Sequence, residues 1–171
     1  MGTDARQVAI IDACVLINFL AVGRTDLLAR HPAYRFHVTN HVRAEITDHY
    51  PEQLARLDTA LAAGEIHETN VSDPEELAAF GELVKTGIGV GECSAIAAAV
   101  VHERPLAIDD KQARKHALRF CPTLALMDTQ AIVVTLIKAN HIDVAAADAI
   151  KQEWQTSHSF TLKFGSFAEL L

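Results

Sequence analysis

Four stretches of the sequence place acidic side chains beside apolar segments. The residues concerned are Asp12, Glu45, Glu92 and the adjacent pair Asp109 and Asp110. Carboxylates that gather in one pocket repel each other and raise one another's pKa. A hard divalent cation, Mg²⁺ or Mn²⁺, removes that penalty because its preferred ligands are oxygen atoms. A bound ion of this kind can activate water and stabilise the charge of a phosphodiester transition state.

Most of these acidic residues also have a simple structural explanation. Glu45 could belong to an ion pair or to the rim of a helix face, and Glu92 suits the start of a helix, where the macrodipole favours a negative charge. An aspartate after a strand, such as Asp109 or Asp110, is a common helix cap. Asp12 is harder to explain in this way, because a carboxylate at the end of a buried strand is costly unless a positive charge meets it.

The segment around Asp12 predicts a strand followed by a helix. Residues 8–11 are four consecutive apolar residues, and after Asp12 the apolar positions Val15, Leu16 and Phe19 have helical spacing. Asp12 is therefore expected at the carboxyl end of a buried strand. Open parallel sheets place their ligands at that edge.

The rest of the chain alternates between predicted strands and predicted helices. Further strands are predicted at residues 35–39, 65–71, 106–109 and 123–127. Helices are predicted from residue 13 to about 30, from the cap Asn40, and at 51–63, 74–85, 92–102, 111–119, 128–139 and 143–155. This alternation predicts an α/β fold, a three-layer α/β/α sandwich with a mainly parallel central sheet. With no repeat or long linker, residues 1–171 are expected to form one domain, with the segment from about 143 as a helical extension.

Composition narrows the possible partners and the compartment. The net charge of −7 argues against nonspecific coating of DNA, which needs a basic surface, but leaves room for nucleic acid at one local site. Cys14, Cys93 and Cys121 form an odd set without a CxxC pair, which favours a reducing compartment. The sequence shows no signal peptide and no membrane segment, so we expect a cytoplasmic protein.

Basic residues follow the late acidic pair. Lys111, Arg114 and Lys115 are spaced by three and four positions, which places them on one side of a predicted helix. They are candidates for binding the phosphate backbone of RNA, and a solvated helix face is the alternative explanation.

The acidic stretches resemble a known family in their order and surroundings. The segments VAIIDACVLINFL, VTNHVRAEI, GIGVGECSAIAAAV and LAIDDKQAR together look like the PIN domain, and the resemblance covers about residues 8–128. This family of metal-dependent nucleases includes toxins of VapC-like toxin–antitoxin pairs. The resemblance implies an α/β/α fold, an acidic pocket that holds Mg²⁺ or Mn²⁺, cleavage of RNA, and a possible antitoxin partner.

By motif position, the resemblance implies that Asp12, Glu45, Glu92 and Asp110 are the catalytic, metal-binding acids. Asp109 competes with Asp110 for the last place, and spacing does not decide between them.

The chain departs from the family pattern at one position. The family often has Ser, Thr or Asn two residues after the first Asp, where this chain has Cys14. A thiol is a poorer hydrogen-bond partner than a hydroxyl or an amide, so looser positioning of the metal is expected.

Other enzyme classes fit the sequence less well. A phosphotransferase of the haloacid dehalogenase type needs a second Asp where Cys14 stands, and a receiver domain carries its acidic pair after the first strand. A zinc site is suggested by the nearby His37, His41 and His49, but no HExxH motif or Cys/His spacing accompanies them.

Two further hypotheses concern binding. The main rival to a nuclease is a catalytically silent PIN-like module that binds protein or RNA. The second hypothesis is a homodimer that uses exposed apolar surface of the last helix or of the tail, residues 160–171, and the alternative is that the tail packs on its own domain.

Overall fold

The computed structural model describes residues 4–171, so the start of the polar N-terminal segment, residues 1–3, lies outside the described part. The strands are β1 (Gln7–Ile11), β2 (Tyr34–Thr39), β3 (His67–Thr69), β4 (Leu106–Ala107) and β5 (Leu126–Met127). They form one sheet in the order β3-β2-β1-β4-β5, and every pair is parallel. This confirms the predicted α/β fold with its parallel sheet and puts β1 at the centre.

Helices cover both faces of this sheet. They are α1 (Ala13–Ala21), α2 (Thr25–Ala29), α3 (Asn40–His49), α4 (Pro51–Ala62), α5 (Pro74–Val84), α6 (Val90–Val101), α7 (Lys111–Phe120), α8 (Thr129–Lys138) and α9 (Val144–Ser157), with a 3-10 turn at Phe167–Leu170. On β2, Thr39 bonds Ser94 of α6 at 2.6 Å, whereas Phe36 packs edge-on against His31, which follows α2. Thr39 and Phe36 are three positions apart in a strand and so point to opposite faces.

The central strand is buried as its sequence predicts. Ala9, Ile10 and Ile11 have no exposed surface, which is the pattern of a strand covered on both faces. Asp12 continues the ladder, because its backbone N–H donates to Ala107 O of β4 at 2.9 Å. The carboxyl ends of β1 and β4 therefore meet at one edge of the sheet.

Two predicted helix boundaries within residues 13–40 were wrong. The single helix expected from residue 13 to about 30 is two helices, because Gly23 takes a left-handed φ of 64° that ends α1. The N-cap of α3 is Thr39 rather than Asn40, since Thr39 Oγ1 accepts from Val42 N at 3.2 Å. Asn40 Oδ1 instead accepts from Val71 N at 3.1 Å and fastens the segment that follows β3.

The aromatic tail packs against the chain itself. Phe167 is fully buried and contacts Phe164 edge-on, with ring centroids 4.9 Å apart. Phe160 packs against Trp154 of α9 at 5.4 Å. Much of the apolar surface that motivated the homodimer hypothesis is used inside the chain, so dimerisation stays a prediction with less support. Among residues 4–171, no helix is both long enough and apolar enough to cross a membrane.

Candidate functional site

Asp12 is the most deeply buried of the candidate acids, with 2% of its surface exposed. Its Oδ2 accepts a hydrogen bond from Cys14 Sγ at 2.9 Å. Its Oδ1 is buried and has no hydrogen-bond partner within residues 4–171. A buried carboxylate oxygen without a partner is costly, so this atom is an open acceptor.

Burial and neighbouring negative charge both act on Asp12. Burial is the largest cause that raises the pKa of Asp12 to about 6, the charges of Glu92 and Glu45 add to it, and the Cys14 hydrogen bond opposes it. The two glutamates are therefore close enough to repel Asp12. This supports the predicted acidic cluster by its electrostatic effect.

Glu45 lies on α3 and reaches across to the first turn of α6. Its carboxylate lies against Gly91 so closely that a Cβ atom on residue 91 would overlap Glu45 Oε2. Glu45 also lines a cavity of about 390 Å³ between α3 and the start of α6, together with His41 and His49. The missing side chain of Gly91 therefore makes room for Glu45 beside α6.

Glu92 lies in the first turn of α6 because this helix begins at Val90, two residues earlier than predicted. Its Oε2 accepts from Gly89 N at 3.0 Å. Burial raises the pKa of Glu92, and the charges of Asp110 and Glu45 raise it further. Glu92 thus responds to negative charge on both α3 and the segment before α7.

The adjacent acids Asp109 and Asp110 have different surroundings. Asp110 is exposed and caps α7, where its Oδ1 accepts from Ala113 N at 2.7 Å. Asp109 is turned toward the interior, and both of its oxygens are hydrogen-bonded. Oδ1 accepts from Thr129 N at 2.9 Å, and Oδ2 accepts from Thr129 Oγ1 at 2.6 Å and Asn18 Nδ2 at 3.1 Å.

Asn18 and Thr129 are residues that sequence reasoning missed. Asn18 is a buried polar residue on the apolar helix α1, and its backbone carbonyl accepts from Trp154 Nε1 at 2.7 Å. Through these contacts Asp109 connects α1, α8 and α9. The available signal was the single amide within the apolar run of α1, which suggested a buried polar contact but not its partner.

Cys14 is placed to orient Asp12. Its thiol donates to Asp12 Oδ2 and accepts from Asp109 N at 3.4 Å. Burial and the charge of Asp12 raise the pKa of the Cys14 thiol well above its usual range, which keeps the thiol protonated as a donor. Although Cys14 departs from the family pattern, it thus still donates a hydrogen bond to Asp12.

The three basic candidates on α7 are not equivalent. Lys111 and Lys115 are exposed, whereas Arg114 is partly buried. The Nη1 group of Arg114 donates to Ile108 O at 2.8 Å and Met127 O at 3.4 Å. Arg114 therefore holds the ends of two strands, and only the lysines are fully available to solvent.

The donor atoms suit a hard divalent cation, because they are carboxylate oxygens and one of them, Asp12 Oδ1, has no partner among residues 4–171. Within the described part of the chain, no three His, Cys, Asp or Glu side chains converge closely enough to form a ligand cluster. The candidate acids are thus close enough to repel one another, but their arrangement is more open than a formed metal site.

Comparison with known proteins identifies the family. A family model described as PIN domain matches residues 8–158, which extends past the region of the sequence resemblance. No curated protein that was compared matches the chain. One similar solved structure is VapBC-1 from nontypeable Haemophilus influenzae, with a TM-score of 0.51, 14% identity, and coverage of 71% of this chain and 98% of that chain. Another is VapBC2 from Rickettsia felis bound to a DNA fragment from their promoter, with a TM-score of 0.49 and the same identity and coverages, 14%, 71% and 98%.

Proposed function

Because the chain belongs to the PIN domain family, we propose that it is a metal-dependent endoribonuclease that hydrolyses RNA phosphodiester bonds. The observation that carries the proposal is the buried Oδ1 of Asp12, which has no partner in residues 4–171 and is surrounded by the negative charge of Glu45 and Glu92. Such an arrangement is unfavourable in isolation and becomes favourable when a cation binds.

The proposed ligands of Mg²⁺ or Mn²⁺ are Asp12, Glu45, Glu92 and Asp110. The charge of Asp110 acts on Glu92, which supports Asp110 as the fourth acid. Asp109 is proposed as a supporting residue instead, since both of its oxygens already accept hydrogen bonds. A bound divalent ion supplies activation of water and stabilisation of phosphoryl charge.

The residues of the chain then have distinct roles. Asp12 is fixed by the central strand, and Cys14 restrains one of its oxygens. Gly91 leaves the space that Glu45 occupies. Lys111 and Lys115, exposed on α7, attract the phosphate backbone of RNA. Water is the proposed nucleophile, with no covalent enzyme intermediate.

We further propose that the nuclease is the toxin of a toxin–antitoxin pair that acts on cytoplasmic RNA. The support is the fold shared with a chain of VapBC-1, at a TM-score of 0.51. A partner protein would then regulate the chain, and co-purification of a protein expressed from a neighbouring gene tests this part separately.

The decisive experiment measures cleavage of several RNAs with Mg²⁺ or Mn²⁺ and, on the same samples, Mn²⁺ binding by calorimetry. We expect wild-type cleavage that requires the metal, and no cleavage by Asp12→Asn. Asp143→Asn is a suitable control, because Asp143 occupies the N-cap position of α9, as Asp12 occupies that of α1, and is not among the candidate acids. Unchanged cleavage by Asp12→Asn would exclude the mechanism.

A catalytically silent binding module is the second candidate. It is favoured by the absence of a formed ligand cluster within residues 4–171. Full Mn²⁺ binding without cleavage of any RNA would support this candidate over the nuclease.

The RNA-binding role of α7 has its own test. Lys111→Gln should weaken RNA binding and reduce the slope of log affinity against log salt by about 1, while Mn²⁺ affinity stays unchanged. Lys138→Gln, an exposed lysine at the end of α8, is the matched control. Equal salt slopes for the two variants would remove Lys111 from the proposed RNA interface.

A further inference from the structure

A second group of charged residues lies on the sheet away from the acidic edge. In β2, Arg35 and His37 are two positions apart, so they project from the same face. His37 pairs with His67 of β3, and the two rings are 5.1 Å apart between centroids. Leu106 and His37 both pair with Ile10, so these three side chains share one face of the sheet. Arg104 precedes Leu106 by two residues, which is the spacing of side chains on one face of a strand. We call Arg35, His37, His67 and Arg104 the basic cluster.

The strand register fixes the spacing within this cluster. Arg35 pairs with Val8 of β1, and Arg104 lies two residues before β4 on the other side of β1. Because neighbouring strands are about 4.8 Å apart, the two arginines start roughly 10 Å from each other across the central strand. Two long side chains at this separation can converge on one small anion between them.

Two side-chain nitrogen atoms of the basic cluster have no hydrogen-bond partner in the described part of the chain. Arg35 Nε and His37 Nε2 are buried and make no hydrogen bond there. Asp4 Oδ2 lies 3.9 Å from Arg35 Nε, but Asp4 is bound more closely by Arg6 Nε, at 2.9 and 3.0 Å. Each residue of the cluster is only partly buried, so other atoms of these side chains remain in contact with solvent.

The electrostatics agree with this arrangement. Burial is the largest cause that lowers the pKa of His37 to about 4, and the positive charges of His67, Arg104 and Arg35 lower it further. The side chain of Glu103 is the acidic group nearest in sequence to Arg104, and it lines the same cavity of about 440 Å³ as Arg104, Gln7 and Tyr34. Because its pKa is lowered, His37 is uncharged at neutral pH, and the guanidinium groups of Arg35 and Arg104 supply the positive charge of the basic cluster.

We propose that the basic cluster binds a phosphate group, held by the guanidinium groups of Arg35 and Arg104 and by N–H donors of His37 and His67. Planar guanidinium groups suit phosphate oxygens because they donate two parallel hydrogen bonds. The site lies toward the amino ends of the strands, whereas the acidic cluster lies at their carboxyl ends. Of the cluster residues, Arg104 lines the cavity of about 440 Å³, which can admit the remainder of a nucleotide. The phosphate is therefore either free or part of a nucleotide.

The test measures binding of inorganic phosphate and of a 5′-mononucleotide by calorimetry and by NMR of the histidine side chains. Divalent cations are left out, and chloride at the same ionic strength is the control anion. We expect the signals of His37 and His67 to shift with phosphate, and those of the exposed His49 to stay in place. Arg104→Gln should weaken binding roughly tenfold, the effect of losing one charge-assisted contact. Tighter binding of the nucleotide would identify a nucleotide as the source of the phosphate, and equal binding would identify the free anion.

Arg104→Gln is the informative variant because the side chain of Arg104 makes no hydrogen bond or ion pair in residues 4–171, and glutamine keeps the backbone hydrogen bond of this residue to Ala99 O. Arg119→Gln, an exposed arginine in the last turn of α7, is the matched control and should bind phosphate as the wild type does. Equal weakening by both variants, or unchanged His37 and His67 signals, would overturn the proposal.

Discussion

A buried carboxylate, Asp12, and a half-buried one, Asp109, lie at the carboxyl edge of the sheet, and their oxygen atoms have different partners. Asp109, shortly after β4, accepts three hydrogen bonds from Asn18 and Thr129. Asp12, directly after β1, has one hydrogen bond from Cys14 and one oxygen with no partner in residues 4–171. Burial raises the pKa of both.

This difference separates a structural carboxylate from a candidate ligand. Filled acceptor positions make Asp109 a connection between helices, and little capacity is left for an ion. The open oxygen of Asp12, with Glu45 and Glu92 adding repulsion, is favourable only when a cation is present. The direction of the pKa shift alone would not distinguish them, because the pKa of both is raised.

The largest expected effect is on metal affinity. Asp12→Asn removes the charge that the proposed ion needs, so Mn²⁺ affinity should fall roughly 100-fold or more, beyond the usual effect of losing a supporting residue. Asp109→Asn should lower Mn²⁺ affinity by less, because the hydrogen bonds of the Asp109 carboxylate go to Asn18 and Thr129 and not to a proposed ligand. Calorimetry of the two variants under one condition measures both Mn²⁺ affinities. Equal losses of affinity would contradict the different roles of the two carboxylates.

The next effect concerns pH in the metal-free protein. The pKa of Asp12 is raised from 3.8 to about 6, so between these values the folded state binds more protons than the unfolded state. Its ionisation therefore opposes folding, and wild-type stability relative to Asp12→Asn should fall by about 2 kcal/mol as pH rises from about 4 to 7.

Urea unfolding of both proteins across this range measures that difference. His31 and His37, whose pKa values burial lowers to about 4, affect wild type and variant alike and cancel in the comparison. A constant difference at all pH values would mean that Asp12 does not carry the repulsion.

Asp109→Asn should act mainly on stability. Its new amide N–H₂ would face donors from Asn18 or Thr129, leaving buried polar groups without acceptors. We expect a loss of about 1–3 kcal/mol in the free energy of unfolding. Asp128→Asn is the control. Asp109 bonds Thr129 at the start of α8, and Asp128 is the N-cap of the same helix, but its carboxylate lies near solvent. A loss no larger than that of the control would count against the structural role.

A pair of glycines gives the smallest and most specific test. Gly91→Ala inserts a methyl group where the Glu45 carboxylate lies. Because this carboxylate ends a flexible side chain that can move aside, the stability should change little, but Mn²⁺ binding should weaken as Glu45 is displaced. Gly81→Ala, in α5 with nothing within 4 Å of an added Cβ, should be neutral or stabilising by about 0.5–1 kcal/mol. Thermal unfolding and calorimetry measure the two quantities, and unchanged Mn²⁺ affinity in Gly91→Ala would show that Glu45 is not held through Gly91.

Sequence patterns predicted the elements that carry the site because those patterns are local. The apolar run before Asp12 predicts the central strand, and a change in spacing predicts the helix after it. The break at Gly23 was also visible in the sequence, since glycine accepts a left-handed φ that ends a helix. It was missed because apolar spacing continues across it.

Contacts between distant segments could not be predicted in this way. Asn18 and Asp109 are 91 positions apart, and nothing in either segment specifies the other. Spacing on α7 suggested that Arg114 faces solvent, but the ends of β4 and β5 supply carbonyl groups within its reach. Likewise, the need for glycine at position 91 arises only when α3 approaches α6.

The Trp154 indole gives this edge of the sheet an optical reporter. It is the single tryptophan of the chain, it has no exposed surface, and it donates to the carbonyl of Asn18. Phe19 and Phe160 pack edge-on against its ring. Its emission should therefore be blue-shifted in the folded protein and move to longer wavelength when α9 separates from α1. Since Asn18 also bonds Asp109, the same emission reports, without any label, how changes at the carboxylate edge propagate into the interior.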